Sequence, residues 1–109
     1  MANSINSAEV QTIIFACEAG MGSSLMSVNS LKKKLKKAKV EGVSVIHKPA
    51  REIPSDAQLV IVHEGLAKTV QTKAPEAVVI AFKHFFNDPV FEKVVTAFSN
   101  GEDVVGNVE

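Results

Sequence analysis

Four short apolar runs recur along the chain, and they constrain its fold more than any other feature. Each run is continuous rather than alternating and is rich in β-branched residues; the runs are Thr12–Ala16, Val43–His47, Leu59–His63 and Val78–Phe82. Continuous apolar strands are typical of a parallel sheet that is covered on both faces. The four runs therefore predict the central strands of such a sheet.

Amphipathic segments between and after these runs predict the covering helices. The first helix is predicted from Gly22 to Ala38, because its apolar residues step by three and four; they are Val28, Leu31, Leu35 and Ala38. A second helix is predicted over Gly65–Thr72. A third is predicted over Pro89–Phe98, and its buried face is expected to contain Val90, Phe91, Val94, Val95 and Phe98. The predicted fold is α/β, a four-stranded parallel sheet flanked by three helices.

The length of 109 residues suits one domain. We expect residues 1–11 to form a flexible N-terminus and residues 12–98 to form the folded domain. Residues 99–109 (SNGEDVVGNVE) are acidic and contain glycine, so they are expected to be a flexible tail or the start of a linker.

The charge balance excludes several classes of partner. Twelve basic residues offset twelve acidic ones, so the chain lacks the net positive charge that nucleic-acid binders and anionic-membrane binders use. The lysine-rich stretch 32–39 is predicted to be a solvated helix face, with docking to an acidic partner or closeness to a membrane as the alternatives. Neither a secretory signal nor a spanning apolar run is visible, so we expect a cytoplasmic protein with no membrane insertion and no nucleic-acid partner.

The segment Cys17–Ser24 (CEAGMGSS) follows the first strand and opens the first helix. Its glycines permit positive φ and close approach of an anion, and backbone N–H groups at a helix start attract phosphate. The predicted phosphate-binding residues are Glu18, Ala19, Gly20, Met21, Gly22, Ser23 and Ser24. The same field would favour the thiolate of Cys17, which could then accept a phosphoryl group on sulfur. The alternative is an inert buried thiol followed by a tight strand–helix turn.

A second cysteine chemistry, that of the cysteine phosphatases, competes with this one. Small cysteine phosphatases use Cys-x₅-Arg, in which the arginine clamps the phosphoryl oxygens. Here Ser23 stands at the arginine position, and Arg51 is the only arginine in the chain. The loop therefore favours a carrier that passes its phosphoryl group on, and a phosphatase is the less favoured alternative.

Three segments of the chain resemble one known family. The sequence IIFACEAGMGSSLM followed by LKKKLKKA closely resembles the IIB domain of the mannitol-type phosphoenolpyruvate-dependent sugar phosphotransferase system. Ile53–Leu66 (IPSDAQLVIVHEGL) and His84–Val95 (HFFNDPVFEKVV) are similar to later signatures of that family. The resemblance covers about residues 12–98, and ascorbate-type IIB domains have similar loops.

This resemblance implies a mechanism, a set of partners and a location. It implies that Cys17 accepts the phosphoryl group of a phosphohistidine on a IIA protein or domain. The acceptor is then a sugar or sugar alcohol, mannitol-like, bound in the membrane IIC domain, which makes the chain a phosphotransferase with IIC. The carrier is expected to be monomeric, to need no metal or other cofactor, and to dock through IIC at the inner face of the cell membrane. The alternative is a IIB-like regulatory domain of a transcription regulator.

The histidines form a further group of candidates. His47, His63 and His84 each lie at or just past the carboxyl end of a predicted strand, which is the edge where ligands of α/β sheets bind. His63 is the possible supporting residue for the phosphoryl group, with a purely structural strand-end role as its alternative. The residue after it is Glu64, where the mannitol-type pattern tends to have arginine.

Overall fold

The four apolar runs form one parallel sheet in the computed structural model, which describes residues 4–17, 22–40, 42–83 and 89–106; for Cys17 and residues 22–27 it describes the backbone. The strands are β1 (Ser4–Asn6), β2 (Thr12–Cys17), β3 (Ser44–Pro49), β4 (Leu59–His63), β5 (Val78–Phe82) and β6 (Asp103–Val105). The parallel sheet has the order β3-β2-β4-β5. Strand β2 aligns its Ile13 with Val45 of the edge strand β3 on one side and with Leu59 of β4 on the other. The predicted four-stranded parallel sheet is confirmed.

Three helices cover the sheet, as predicted. They are α1 (Gly22–Lys37), α2 (Ala67–Lys73) and α3 (Pro89–Asn100). Helices α1 and α3 pack on one face, where the predicted apolar residues of both helices are buried or half-buried in a single cluster. Helix α2 packs on the other face. The assignment follows the alternation of β2, whose Ile13 and Phe15 lie in the first cluster and Ile14 and Ala16 in the second.

Aromatic rings fill the α1/α3 face at its centre. The ring centroids of Phe15 and Phe82 are 5.3 Å apart, and Phe91 of α3 lies 6.1 Å from Phe15 and 5.3 Å from Phe82. All three side chains are buried. Rings at these separations gain contact energy beyond their burial, so they fix α3 against the sheet.

The edge strand β3 extends beyond the predicted run, to Pro49. Ser44 donates its N–H to Gln11 O at 3.0 Å, on the side of β2. Backbone groups alternate in direction along a parallel strand, so the nitrogen of residue 49 faces the open edge rather than β2. Proline therefore removes no hydrogen bond from the sheet.

The sequence did not predict the two shortest strands. Ser4–Asn6 pairs antiparallel with Asp103–Val105, and Ser4 lies opposite Val105. Ile5 packs against the α1/α3 cluster, and Val104 is buried in it. This terminal ribbon joins the two ends of the chain, because β1 and β6 each bury one apolar side chain that neither could bury alone.

Within the described residues, no helix combines the length and the apolar character needed to cross a membrane.

Candidate functional site

Cys17 is the last residue of the central strand β2. Its backbone is in register with Pro49 on β3. On the other side Ala16 pairs with Val62 of β4, so the next residues on these two strands are Cys17 and His63. In a parallel α/β sheet the carboxyl ends of the strands form the edge at which ligands bind. The candidate nucleophile therefore lies at the middle of this edge.

The predicted phosphate loop connects Cys17 to α1. Gly22, Ser23 and Ser24 form the first turn of α1, whose first backbone N–H groups have no partner within the helix. Glu18, Ala19, Gly20 and Met21 lie outside the described residues. The strand–loop–helix arrangement that the sequence predicted is present, with the helix beginning five residues after Cys17. Such a helix start attracts anions through both its N–H groups and its dipole.

Two contacts with described residues orient His63 at the end of β4. Its Nδ1 accepts the backbone N–H of Gly65 at 3.2 Å, which begins a 3₁₀ turn over Glu64–Leu66. Its ring meets Phe82 edge-to-face, with centroids 5.6 Å apart and an interplanar angle of 82°. Because Nδ1 is the acceptor, the neutral ring carries its proton on Nε2. His63 is thus a half-buried, oriented imidazole one residue beyond the last pair of β2 and β4, as Cys17 is on β2.

Sequence reasoning missed Gly65 as part of this site. A Cβ at position 65 would lie 3.4 Å from Nδ1 of His63, at the lower limit of ordinary contact. The available signal was the His-x-Gly spacing, because a side-chain acceptor can bind the N–H two residues later. The second helix therefore begins at Ala67 rather than at the predicted Gly65.

Strand β2 separates His47 from His63 in the sheet. His47 is exposed on the edge strand β3, and His84 lies outside the described residues. Among the residues described, no group of three His, Cys, Asp or Glu side chains is arranged to hold a metal ion.

The lysines of α1 are mostly exposed, which agrees with a solvated helix face. Lys34 is the half-buried exception, and its Nζ forms an ion pair with Glu92 of α3. Because Glu92 is largely exposed, solvent screens this pair and its net contribution to stability is small.

A comparison with protein families decides the assignment. Residues 12–97 match the model of the family described as "PTS system, Lactose/Cellobiose specific IIB subunit". The match begins with the first residue of β2 and ends inside α3, so it contains Cys17, the loop and His63. The chain belongs to the IIB family of the phosphotransferase system. The terminal ribbon lies outside the matched part of this IIB chain.

Curated relatives of this IIB chain have mannitol in their names. The IIB chain is 38% identical over 93 residues to the "PTS system mannitol-specific EIICBA component" of Buchnera aphidicola, and the aligned part covers 85% of this chain and 15% of the relative. It is also 38% identical over 94 residues to the "PTS system mannitol-specific EIICB component" of Bacillus subtilis, which covers 86% of this chain and 20% of the relative. A third relative, the mannitol-specific EIICB component of Staphylococcus saprophyticus, is 39% identical over 87 residues, which covers 80% of this chain and 17% of the relative. The chain spans a fifth or less of the length of these relatives.

Proposed function

We propose that this IIB chain is a phosphocarrier that accepts a phosphoryl group on Cys17 and passes it to a sugar or sugar alcohol, mannitol-like, bound in a membrane IIC domain. The observation that carries the proposal is the position of Cys17, at the carboxyl end of the central strand and directly before the loop that leads into α1. The names of the relatives support mannitol as the first acceptor to test.

The first step is a transfer from nitrogen to sulfur. The Cys17 thiolate attacks the phosphorus of a phosphohistidine on IIA; the S–P bond forms, the P–N bond breaks, and the electron pair remains on the imidazole nitrogen. Negative charge on the equatorial oxygens is stabilised by N–H groups at the start of α1 and by the loop residues 18–24. In the second step a sugar hydroxyl attacks the phosphorus, the S–P bond breaks, and the thiolate of Cys17 leaves. A base on IIC takes the hydroxyl proton.

His63 supports the phosphoryl group in this proposal. Its ring is oriented by the Gly65 N–H and by Phe82, and both His63 and Cys17 directly follow the Ala16–Val62 pair on their strands. An Nε2–H donor at this edge would stabilise a phosphoryl oxygen while sulfur holds the phosphorus.

The test is intact-mass measurement after incubation with phosphoenolpyruvate, the general phosphotransferase proteins and a mannitol-type IIA. We expect one phosphoryl group on the wild-type chain and none on Cys17→Ser. Equal labelling of the two chains would refute the assignment of Cys17, because the phosphoryl group would then lie on another residue. Adding IIC membranes with mannitol should discharge the adduct; a regulatory domain would keep it, and a phosphatase would release inorganic phosphate without IIC.

A further inference from the structure

A groove lies between the C-terminal half of α1 and the edge strand β3. It encloses about 660 Å³. Apolar residues and three lysines line it; those that matter here are Lys32, Lys36, Lys39, Val40, Val43 and Ile46. Ile46 is 39% exposed, although it is a large apolar residue. The groove therefore combines a row of cations with an apolar surface that is open to solvent.

The backbone of β3 adds unpaired hydrogen-bonding groups to one side of this groove. In the part of the chain that the structure describes, β3 pairs with β2 alone. Ser44 directs its N–H toward β2, so the backbone groups of Val45 and His47 face the open edge. An open strand edge is a template for another extended backbone.

The three lysines place positive charge along the groove. Lys32 and Lys36 are one helical turn apart on the same side of α1, and Lys39 follows at the helix end. Among the described residues, none of the three forms an ion pair. Glu41 follows in the chain but lies outside the described residues.

Lys39 also occupies an unfavourable conformation. Its φ is 61°, and it is the only described residue other than glycine with a positive φ. Glycine is the residue that normally ends a helix in this way, because a side chain is crowded there. A lysine at this position costs stability, and Lys39 lines the groove.

We propose that this groove, the β3 groove, binds an acidic, extended segment of a partner protein as an added strand along β3. Carboxylates of the segment meet Lys32, Lys36 and Lys39 on the α1 side of the sheet. Its apolar side chains point to the opposite side, where Ile46, in register with Ile14, is exposed. An added strand uses the open backbone groups of β3, which neither a lipid headgroup nor a nucleic acid can do. The residues lining the groove include no aromatic side chain on which bases could stack.

The β3 groove lies at the opposite end of the sheet from the proposed transfer site. Ser44 is in register with Thr12, at the start of β2, whereas Cys17 is at its end, about 16 Å away along the strand. A bound segment would therefore leave the Cys17 edge accessible. The proposal goes beyond the proposed function and is tested without any phosphoryl donor.

The experiment measures the fluorescence anisotropy of a short, labelled peptide of alternating valine and glutamate that is titrated with the full chain. We expect saturable binding with Kd below about 1 mM. The double variant Lys32→Glu, Lys36→Glu should bind at least tenfold more weakly, because two attractions become repulsions. The matched control is Lys33→Glu, Lys37→Glu, which makes the same charge change on the same helix outside the groove. It should change Kd by less than threefold.

A second peptide separates strand addition from simple charge attraction. Methylation of alternate backbone nitrogens keeps every carboxylate but removes the donors along one edge, and the two possible methylation registers are both tested. At least one of the two methylated peptides should fail to bind. The unmodified peptide should protect the Val45 and His47 amides from hydrogen exchange. The proposal is overturned if no peptide binds, if both lysine pairs matter equally, or if neither register has an effect. It is also overturned if anionic vesicles or single-stranded DNA bind as tightly with the same lysine dependence.

Discussion

The end of helix α1 offers a test of how the chain balances stability against function. The Lys39 N–H bonds to Lys36 O at 3.0 Å, and the Val40 N–H bonds to Leu35 O at 2.9 Å. These two bonds form the helix ending that favours a left-handed residue, usually glycine, at the position of Lys39. We expect Lys39→Gly to stabilise the protein.

The magnitude follows from two opposing terms. A left-handed conformation costs an L-residue about 1–2 kcal/mol, and glycine escapes this cost. Glycine also loses about 0.5–1 kcal/mol more than other residues through the freedom of its unfolded chain. The Lys39 side chain is exposed, so its removal loses little packing. The net expectation is a gain of about 0.5–1 kcal/mol in the free energy of unfolding, which raises Tm by about 2–6 °C.

Helix α3 provides the matched control. Glu102 donates its N–H to Ala97 O at 2.8 Å, and Gly101 has a φ of 70° at the equivalent position. A Cβ there would have no heavy atom within 4 Å, so Gly101→Ala changes the same two terms without a steric clash. It should lower the free energy of unfolding by about 1 kcal/mol.

Both variants are measured by urea denaturation followed by circular dichroism. If Gly101→Ala destabilises and Lys39→Gly does too, the side chain of Lys39 makes interactions in the folded state that outweigh its strained backbone, and the reasoning fails. Lys39→Gly should also bind the acidic peptide more weakly. A gain in stability together with a loss in binding would explain why a lysine stands there.

Three further predictions concern the transfer edge and the domain boundary. His63→Asn keeps an acceptor for the Gly65 N–H but loses the Nε2 donor, so it should slow phosphorylation of Cys17 by about tenfold. His63→Gln, with a donor at the Nε2 position, should be slowed less, although both variants lose the ring contact with Phe82 and should lower Tm to a similar extent. Unimpaired transfer by His63→Asn would leave His63 a structural role only. Glu64→Gln removes an anion beside this edge and should raise the phosphorylation rate by about twofold at low salt; a rate that does not change would place its carboxylate too far away to matter. Val104→Ala should lower the free energy of unfolding by about 1–2 kcal/mol in thermal denaturation. A chain cut to 12–98 should lose more, because it also lacks the buried Val10, and it should still be phosphorylated. An unchanged Tm for both chains would mean that the terminal ribbon is not part of the cooperative fold.

The proposed transfer site shows how much of a site can be predicted from the residues alone. The position of Cys17 before a helix could be predicted, because the two glycines and two serines that follow it are typical of a phosphate-binding turn. The orientation of His63 could not, because it depends on Phe82 from another strand and on the N–H of Gly65. The β3 groove could not be predicted from the sequence either, because its lysines and its strand edge belong to two elements that meet only after folding.

The sequence by itself determined the elements whose patterns are local. The apolar runs, such as Leu59–His63, and the three-and-four spacing on α1 specify strands and helices because burial repeats with the period of each structure. Only the tertiary structure decided which strand lies at an edge, and hence why Pro49 fits in β3. It also decided that Ser4–Asn6 pairs with Asp103–Val105. Strands of three residues have too little pattern to be recognised, and their stability comes from contacts between the two ends of the chain.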